Sequence, residues 1–194
     1  MNGRILRRAA WPLLATLSPA GLASMPPAID GETGVLHVYG SLTESPCRLE
    51  MDSAWQAVSL GNTATARLQK AGDRSAPVAF TLRLRDCRAL ASRSRDDRSG
   101  SMLWSRDQPA VSVRFIAAAD DDSPRLLAVR GVSGVALRLK DALGRDVRLG
   151  HRGRPLLLVP GQDTLRYTLN AERTAAPLRA GAWHALIGVG MEYD

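Results

Sequence analysis

Alternation of apolar and polar residues with a period of two constrains this chain more than any other feature. Successive side chains of a strand point to opposite faces of a sheet, so this period predicts half-buried β-strands. The alternating runs occupy residues 36–42, 78–84, 111–115, 135–139, 165–169 and 183–193. Clusters of turn-forming residues separate them, at 71–73, 131–134, 143–146, 160–163 and 180–181. Helical periodicity is scarce after residue 30, and the whole pattern predicts an all-β sandwich.

Two polar stretches interrupt the alternating runs. Residues 91–109 are rich in serine, arginine and aspartate, and residues 117–123 include three consecutive aspartates, Asp120, Asp121 and Asp122. Both stretches are predicted to be loops. Clustered carboxylates suit a calcium ion, but a calcium loop also needs spaced ligands and a turn-forming glycine, which this stretch lacks. We therefore interpret the three aspartates as a solvated acidic loop.

The first 23 residues have the pattern of a secretory signal peptide. Arginines at positions 4, 7 and 8 precede an apolar centre at 9–17, and small residues at 21–23 suit a cleavage site. An amphipathic helix is the alternative, and Pro12 and Pro19 argue against it. Since the sequence has no run of 18 apolar residues, it predicts no permanent membrane span. We expect the chain to be exported.

Cys47 and Cys87 are the only cysteines. In an oxidising compartment two thiols of one exported domain usually pair, so we predict a disulfide between them. Closing that loop would stabilise the fold by about 4 kcal/mol in the chain-entropy treatment. Two free buried thiols are the alternative, whereas a zinc or thioredoxin-like site has no support because the sequence lacks a CxxC motif.

The charge of the chain does not indicate a nucleic-acid partner. The formal net charge is +7, and removal of residues 1–23, which contain three arginines and no acidic residue, lowers it to +4. The remaining arginines recur singly through the alternating runs, without the basic cluster and interleaved aromatics that nucleic acids favour. We expect no nucleic-acid binding and no cofactor.

The two ends of the chain each carry an apolar row that lacks a partner in the predicted sandwich. One face of the final run carries Trp183, Ala185, Ile187, Val189, Met191 and Tyr193. Before the first cysteine, residues 24–46 carry Leu36, Val38, Gly40 and Leu42 on one face. Because an open apolar strand edge invites pairing, this arrangement suggests strand exchange between subunits. An ordinary N-terminal strand folded back into its own sheet is the alternative.

Four segments carry motifs of one known family. Residues 36–40 end in a glycine seven positions before Cys47, and residues 80–87 end in Asp-Cys. The stretch 134–144 reads Gly-Val-Ala-Leu-Arg-Leu followed by Asp141 and Gly144, and the run after 180 ends in Tyr-Asp. In this order, across residues 34–194, the motifs resemble those of the pilin subunits of chaperone-usher fimbriae, relatives of the type 1 and P pili.

The resemblance implies an immunoglobulin-like sandwich that is incomplete because it lacks its seventh strand. It implies a signal peptide at 1–23, an N-terminal donor-strand extension at 24–46 and the incomplete domain at 47–194. A periplasmic chaperone is expected to fill the groove first, and at the outer-membrane usher the next subunit's extension is expected to replace it. The implied donor residues are Leu36, Val38, Gly40 and Leu42. The implied acceptor and chaperone-binding residues are Trp183, Ile187, Val189, Met191, Tyr193 and Asp194.

By this resemblance the chain is a structural subunit of a fimbria at the cell surface, contributes to adhesion and has neighbouring pilins as partners. Shaft, adaptor and terminator positions all stay open. The alternative is an exported monomeric β-sandwich that binds a carbohydrate or another surface ligand, with Trp104 as its candidate exposed aromatic. An enzyme is disfavoured, because His37, His151 and His184 are the only histidines and no known catalytic motif contains them.

Overall fold

The computed structural model describes residues 36–40 and 44–194, and the chain divides into two units, 1–42 and 43–194. In the first unit, residues 36–40 have no regular secondary structure, and their side chains are exposed. The predicted signal peptide, Leu42 and most of the predicted extension at 24–46 lie outside the described residues.

The regular secondary structure of the second unit consists almost entirely of β-strands. They are β1 (Arg48–Leu49), β2 (Val78–Cys87), β3 (Ser92–Arg95), β4 (Met102–Ser105), β5 (Ala110–Ile116), β6 (Leu127–Ala128), β7 (Val135–Asp141), β8 (Leu156–Leu157), β9 (Gly161–Arg173) and β10 (Gly188–Tyr193). One helical turn, α1 (Met51–Ala54), and one 3₁₀ turn at Thr65–Arg67 accompany them. The prediction of an all-β fold is confirmed.

The strands pair antiparallel in three sheets. A five-stranded sheet has the order β1-β2-β9-β7-β6, a three-stranded sheet has the order β10-β5-β8, and β3 pairs with β4. The longest pairing joins β2 to β9, from Val78 opposite Leu169 to Cys87 opposite Gly161. Strands β2, β5, β7 and β9 each contain one of the predicted alternating runs.

The core lies between the five-stranded and three-stranded sheets. Inward-facing residues of β2, β5, β7 and β9 are buried, among them Leu82, Val113, Phe115, Leu139 and Leu165. The ring of Phe115 on β5 packs edge-on against Tyr167 on β9, with ring centroids 4.8 Å apart, and Tyr167 stacks on Phe80 of β2 at 5.6 Å. The contact between Phe115 and Tyr167 joins the two sheets, as in a β-sandwich.

The predicted disulfide between Cys47 and Cys87 is present. It ties the start of the domain to the end of β2, where the strand has a bulge between Arg85 and Cys87. Asp86, the residue inside the bulge, has φ of 54°, a left-handed conformation that aspartate tolerates better than most residues. The Asp-Cys motif therefore supplies both the bulge and the crosslink.

The prediction of a loop over 91–109 is wrong for its central part, where β3 and β4 form a hairpin. Arg93 lies opposite Trp104, and Arg95 lies opposite Met102. The alternation here places buried serines against exposed arginines, so a search for apolar periodicity does not detect it. The prediction for residues 117–123 agrees with the structure, in which Ala119 forms only an isolated bridge to Leu127.

The final strand is shorter than the predicted run of 183–193. Strand β10 begins at Gly188, and before it His184 forms an isolated bridge to Arg130. Among the described residues, none of the helical segments has the length and apolar character needed to cross a bilayer.

Candidate functional site

Strand β10 is an edge strand with one open side. It pairs with β5 from Gly188 opposite Ile116 to Tyr193 opposite Val111, and no other described strand pairs with it. The Asp194 N–H donates to the Ala110 carbonyl at 3.2 Å, which fixes the even-numbered residues of β10 as the ones hydrogen-bonded to β5. The N–H and C=O groups of Val189, Met191 and Tyr193 therefore point to the open side.

The apolar row that ends in β10 is only half covered. Its partly buried members pack against the core: Trp183, Ala185, Ile187, Met191 and Tyr193. Val189, in the middle of the row, is 39% exposed, whereas Phe115 opposite it on β5 is 1% exposed. Burial raises the pKa of the Tyr193 hydroxyl, which donates to the Met191 sulfur at 3.6 Å. The side chains of the row thus pack against the core on one side, and on their other side they are not covered.

A second unpaired segment lies at 56–63. Val58 and Leu60 are partly buried against the core and Ser59 between them is exposed, as in a strand. Within the described part of the chain, residues 56–63 make no backbone–backbone hydrogen bond. Gly61, Leu68 and Trp183 line one cavity of about 190 Å³, so the segment and the apolar row border the same space.

Charged side chains on the outer face of β10 hold the end of this strand in place. The Arg152 guanidinium forms an ion pair with the Asp194 carboxylate, and the Ser94 hydroxyl donates to the same carboxylate at 2.5 Å. Glu192 lies 2.5 Å from the Arg114 guanidinium and 3.4 Å from that of Arg152. Sequence reasoning missed Ser94, Arg114 and Arg152, because only the register of β5, β10 and the hairpin brings them together.

The predicted donor residues lie in the other unit. Leu36 and Val38 are 85% and 84% exposed, and a side chain added at Gly40 would meet no atom within 4 Å. The three histidines at 37, 151 and 184 are exposed. Across residues 36–40 and 44–194, no three or more His, Cys, Asp or Glu side chains are grouped to hold a metal ion.

Comparison with known proteins shows the family. The family model described as fimbrial protein matches residues 36–194. The Fimbria A protein of Serratia marcescens is 27% identical over 185 residues, which cover 94% of this chain and 97% of that protein. The PRS fimbrial minor pilin protein of Escherichia coli is 27% identical over 156 residues, which cover 80% and 75%.

Solved structures agree on the fold. The P pilus rod subunit PapA matches with a TM-score of 0.62 at 22% identity, over 77% of this chain and all of that one. The family consists of structural proteins, which confirms the prediction that the chain is not an enzyme. The chain therefore belongs to the fimbrial protein family and is a chaperone-usher pilin, a structural subunit exported to the cell surface as part of a fimbrium.

Proposed function

We propose that the chain polymerises by donor-strand exchange, with the open side of β10 as the acceptor and residues 36–42 of a neighbouring copy as the donor. The observation that carries this proposal is the free ladder of β10 beside a half-covered apolar row. An added strand satisfies both at once, because its backbone pairs with the free N–H and C=O groups and its side chains cover the row.

The composition of the donor segment fits this acceptor. Leu36, Val38 and Leu42 are apolar at every second position, and they bracket Gly40. In the proposed complex these residues face the core between β10 and the segment at 56–63, whose backbone is also unpaired. Gly40, which has no side chain, suits a shallow point of the groove. The chain then divides into a signal peptide at 1–23, a donor extension at 24–46 and an acceptor domain at 47–194.

A periplasmic chaperone is the proposed first partner. Until a donor arrives, the open apolar edge exposes the subunit to pairing with other strands and to aggregation. A chaperone strand over Ile187, Val189 and Met191, with basic side chains at Asp194, would protect it. At an outer-membrane usher the donor of the next subunit then replaces this strand. Since one strand replaces another, the ladder hydrogen bonds are conserved, and a better apolar fit drives the exchange without ATP.

Engineered cysteines in two different copies test the proposal. Subunits carrying Val38→Cys are assembled with subunits carrying Ile187→Cys, Val189→Cys or Met191→Cys, and disulfide-linked dimers are detected on non-reducing gels. We expect links to at least one of these positions on the apolar face. The matched controls are Leu186→Cys, which is 88% exposed on the opposite face, and His37→Cys, on the opposite face of the donor.

Links within single chains of a variant carrying Val38→Cys together with Val189→Cys would contradict the proposal, as would equal linking to Leu186→Cys. The first result would mean that the domain completes itself. The second would mean that the extension contacts the domain without a defined face.

A further inference from the structure

The outer face of the β3-β4 hairpin carries two arginines and two apolar side chains in register. Arg93 lies directly opposite Trp104, and Arg95 lies opposite Met102. All four side chains are exposed, with Trp104 at 67% and Met102 at 47%. Directly opposed residues of antiparallel strands have Cβ atoms about 5 Å apart, so Arg93 and Trp104 lie side by side on this face.

The hairpin is held rigidly from its inner face and its turn. The Ser92 hydroxyl donates to the Gln108 carbonyl at 2.7 Å, and the Ser94 hydroxyl donates to Asp194. Asp96, buried at the turn, lies 3.2 Å from the Arg154 guanidinium and accepts the Arg98 N–H at 2.9 Å. Burial raises the pKa of Asp96, but hydrogen bonds from Arg98 and Ser99 and the charge of Arg154 outweigh it, so its pKa lies below its ordinary value. The backbone of the hairpin is therefore held in place before any ligand binds.

The two arginines of this face have no acidic partner, and Trp104 has no aromatic partner, within the described chain. Neither Arg93 nor Arg95 forms an ion pair with another residue in 36–40 or 44–194. The close aromatic pairs of the same residues join Phe80, Phe115 and Tyr167, so both faces of the Trp104 indole are free of aromatic partners. The exposed indole and the two guanidinium groups beside it are therefore available to a ligand.

We propose that this face binds an anionic saccharide, with the sugar ring on Trp104 and its carboxylate or sulfate between Arg93 and Arg95. The carbon-bound hydrogens of a pyranose ring form an apolar face that packs on an indole. Guanidinium groups bind carboxylate and sulfate oxygens through paired, charge-assisted hydrogen bonds. This ligand class accounts for the tryptophan and the arginines together, whereas a simple polyanion accounts for the arginines alone.

The size of the face also favours a saccharide over a protein. Each four-residue strand spans about 13 Å, and the two strands lie about 4.8 Å apart. Such a strip accommodates two or three sugar rings, but it is far smaller than the roughly 800 Å² that each partner contributes to a stable protein interface. The proposal goes beyond polymerisation, since neither β10 nor residues 36–42 belong to this face. In a fibre, repetition of the strip would add avidity.

Binding of defined polysaccharides to assembled fibres and to the refolded chain tests the proposal. The probes are heparin and hyaluronate, with neutral dextran and polyphosphate as comparisons, all at physiological salt. We expect heparin or hyaluronate to bind, and Trp104→Ala and Arg93→Gln each to weaken that binding about tenfold or more, as for loss of one charge-assisted contact. Leu143→Ala and Arg125→Gln, exposed positions outside the hairpin, are the matched controls and should bind as the parent does.

Circular dichroism of each variant verifies folding, which exposed substitutions should leave unchanged. No binding of either acidic polysaccharide by the parent chain would overturn the proposal. The proposal would also be overturned if polyphosphate bound as strongly as the acidic polysaccharides and Trp104→Ala left that binding unchanged. The surface would then be only a cationic patch. If the parent chain formed no fibres, polymerisation would fail as the function, while the refolded chain would still decide whether the hairpin binds a saccharide.

Discussion

Arg152 holds the side chain of Asp194 through an ion pair that spans 42 positions of sequence. The segment around this arginine also runs beside β5, since the amides of Gly150 and Gly153 donate to the carbonyls of Phe115 and Val113. Strand β5 thus lies between β10 on one side and the segment at 150–153 on the other. The ion pair joins the segment at 150–153 to the end of β10, and it thereby fixes the end of the proposed acceptor strand.

Replacing this arginine should loosen the end of β10. We expect Arg152→Gln to lower the free energy of unfolding by about 1 kcal/mol, because both partners are partly exposed and water screens the pair. Guanidinium unfolding of the refolded chain measures the change. Arg148→Gln, an exposed arginine just before that segment, is the control and should change stability by less than about 0.5 kcal/mol. Equal effects of the two substitutions would show that the ion pair contributes nothing specific.

Glu172 is a buried carboxylate bound by two arginines. Its side chain is 7% exposed, and it accepts hydrogen bonds from Arg74 Nε and Arg138 Nη2, each at 2.7 Å. We expect Glu172→Gln to lower the free energy of unfolding by about 3 kcal/mol, because it leaves Arg138 partly buried without its main counter-charge. Chemical denaturation at neutral pH measures the loss. A neutral effect would mean that the pair does not stabilise the sheet.

The same carboxylate should make stability depend on pH. Burial raises the pKa of Glu172, but the hydrogen bonds and charges of Arg138 and Arg74 outweigh it, so its pKa in the folded chain lies below its ordinary value of 4.5. Its contribution is therefore complete above the unfolded pKa and is lost as pH falls through the lower, folded pKa. The parent chain should lose more stability than Glu172→Gln between pH 5 and 3. Parallel losses in the two chains would assign the acid sensitivity to other groups.

Gly131 makes a close backbone approach to the start of the apolar row. Its φ is 103°, and an added Cβ would overlap the carbonyl oxygen of Ala182, next to Trp183. We expect Gly131→Ala to cost at least about 2 kcal/mol, from the strained backbone and the clash together. Gly144 has φ of 73° but open space around it, so Gly144→Ala should cost only about 1 kcal/mol. Thermal unfolding of both variants compares them, and equal costs would exclude the close approach as a structural requirement.

Gly40 is the position where the proposed donor lacks a side chain. We expect Gly40→Leu to shorten fibres or abolish them, because a large side chain does not fit a shallow point of the groove. The subunit should still form the proposed chaperone complex, since that complex would use the acceptor domain. Electron microscopy of fibres and co-purification with the chaperone measure the two effects. Fibres of normal length would remove Gly40 from the proposed contact.

The strands with apolar alternation were predictable because their side chains report burial directly. Val113 and Phe115 on β5 and Leu137 and Leu139 on β7 face the core as their spacing predicts. The disulfide was predictable because the chain has only two cysteines and is expected to be exported to an oxidising compartment. In each case a local pattern, or a count of residues, carries the information.

The hairpin and the network at the end of β10 were not predictable in this way. Ser92 and Ser94 are buried because their hydroxyls have hydrogen-bond partners at Gln108 and Asp194, which are distant in sequence. A strand whose buried residues are polar and hydrogen-bonded in this way has no apolar periodicity in its sequence. The unpaired segment at 56–63 has only two alternating apolar residues, Val58 and Leu60, too few to predict a strand.

Hydrogen exchange at β10 distinguishes an open edge strand from a strand that is already paired on both sides. In the free, refolded chain the amides of Val189, Met191 and Tyr193 should exchange rapidly, because they point to the open side of the strand. A synthetic peptide of residues 34–44 should protect these three amides, and the same peptide with Leu in place of Gly40 should protect them far less. Protection of the three amides in the free monomer would contradict an open edge at β10, and unchanged exchange in the presence of the peptide would contradict its role as acceptor.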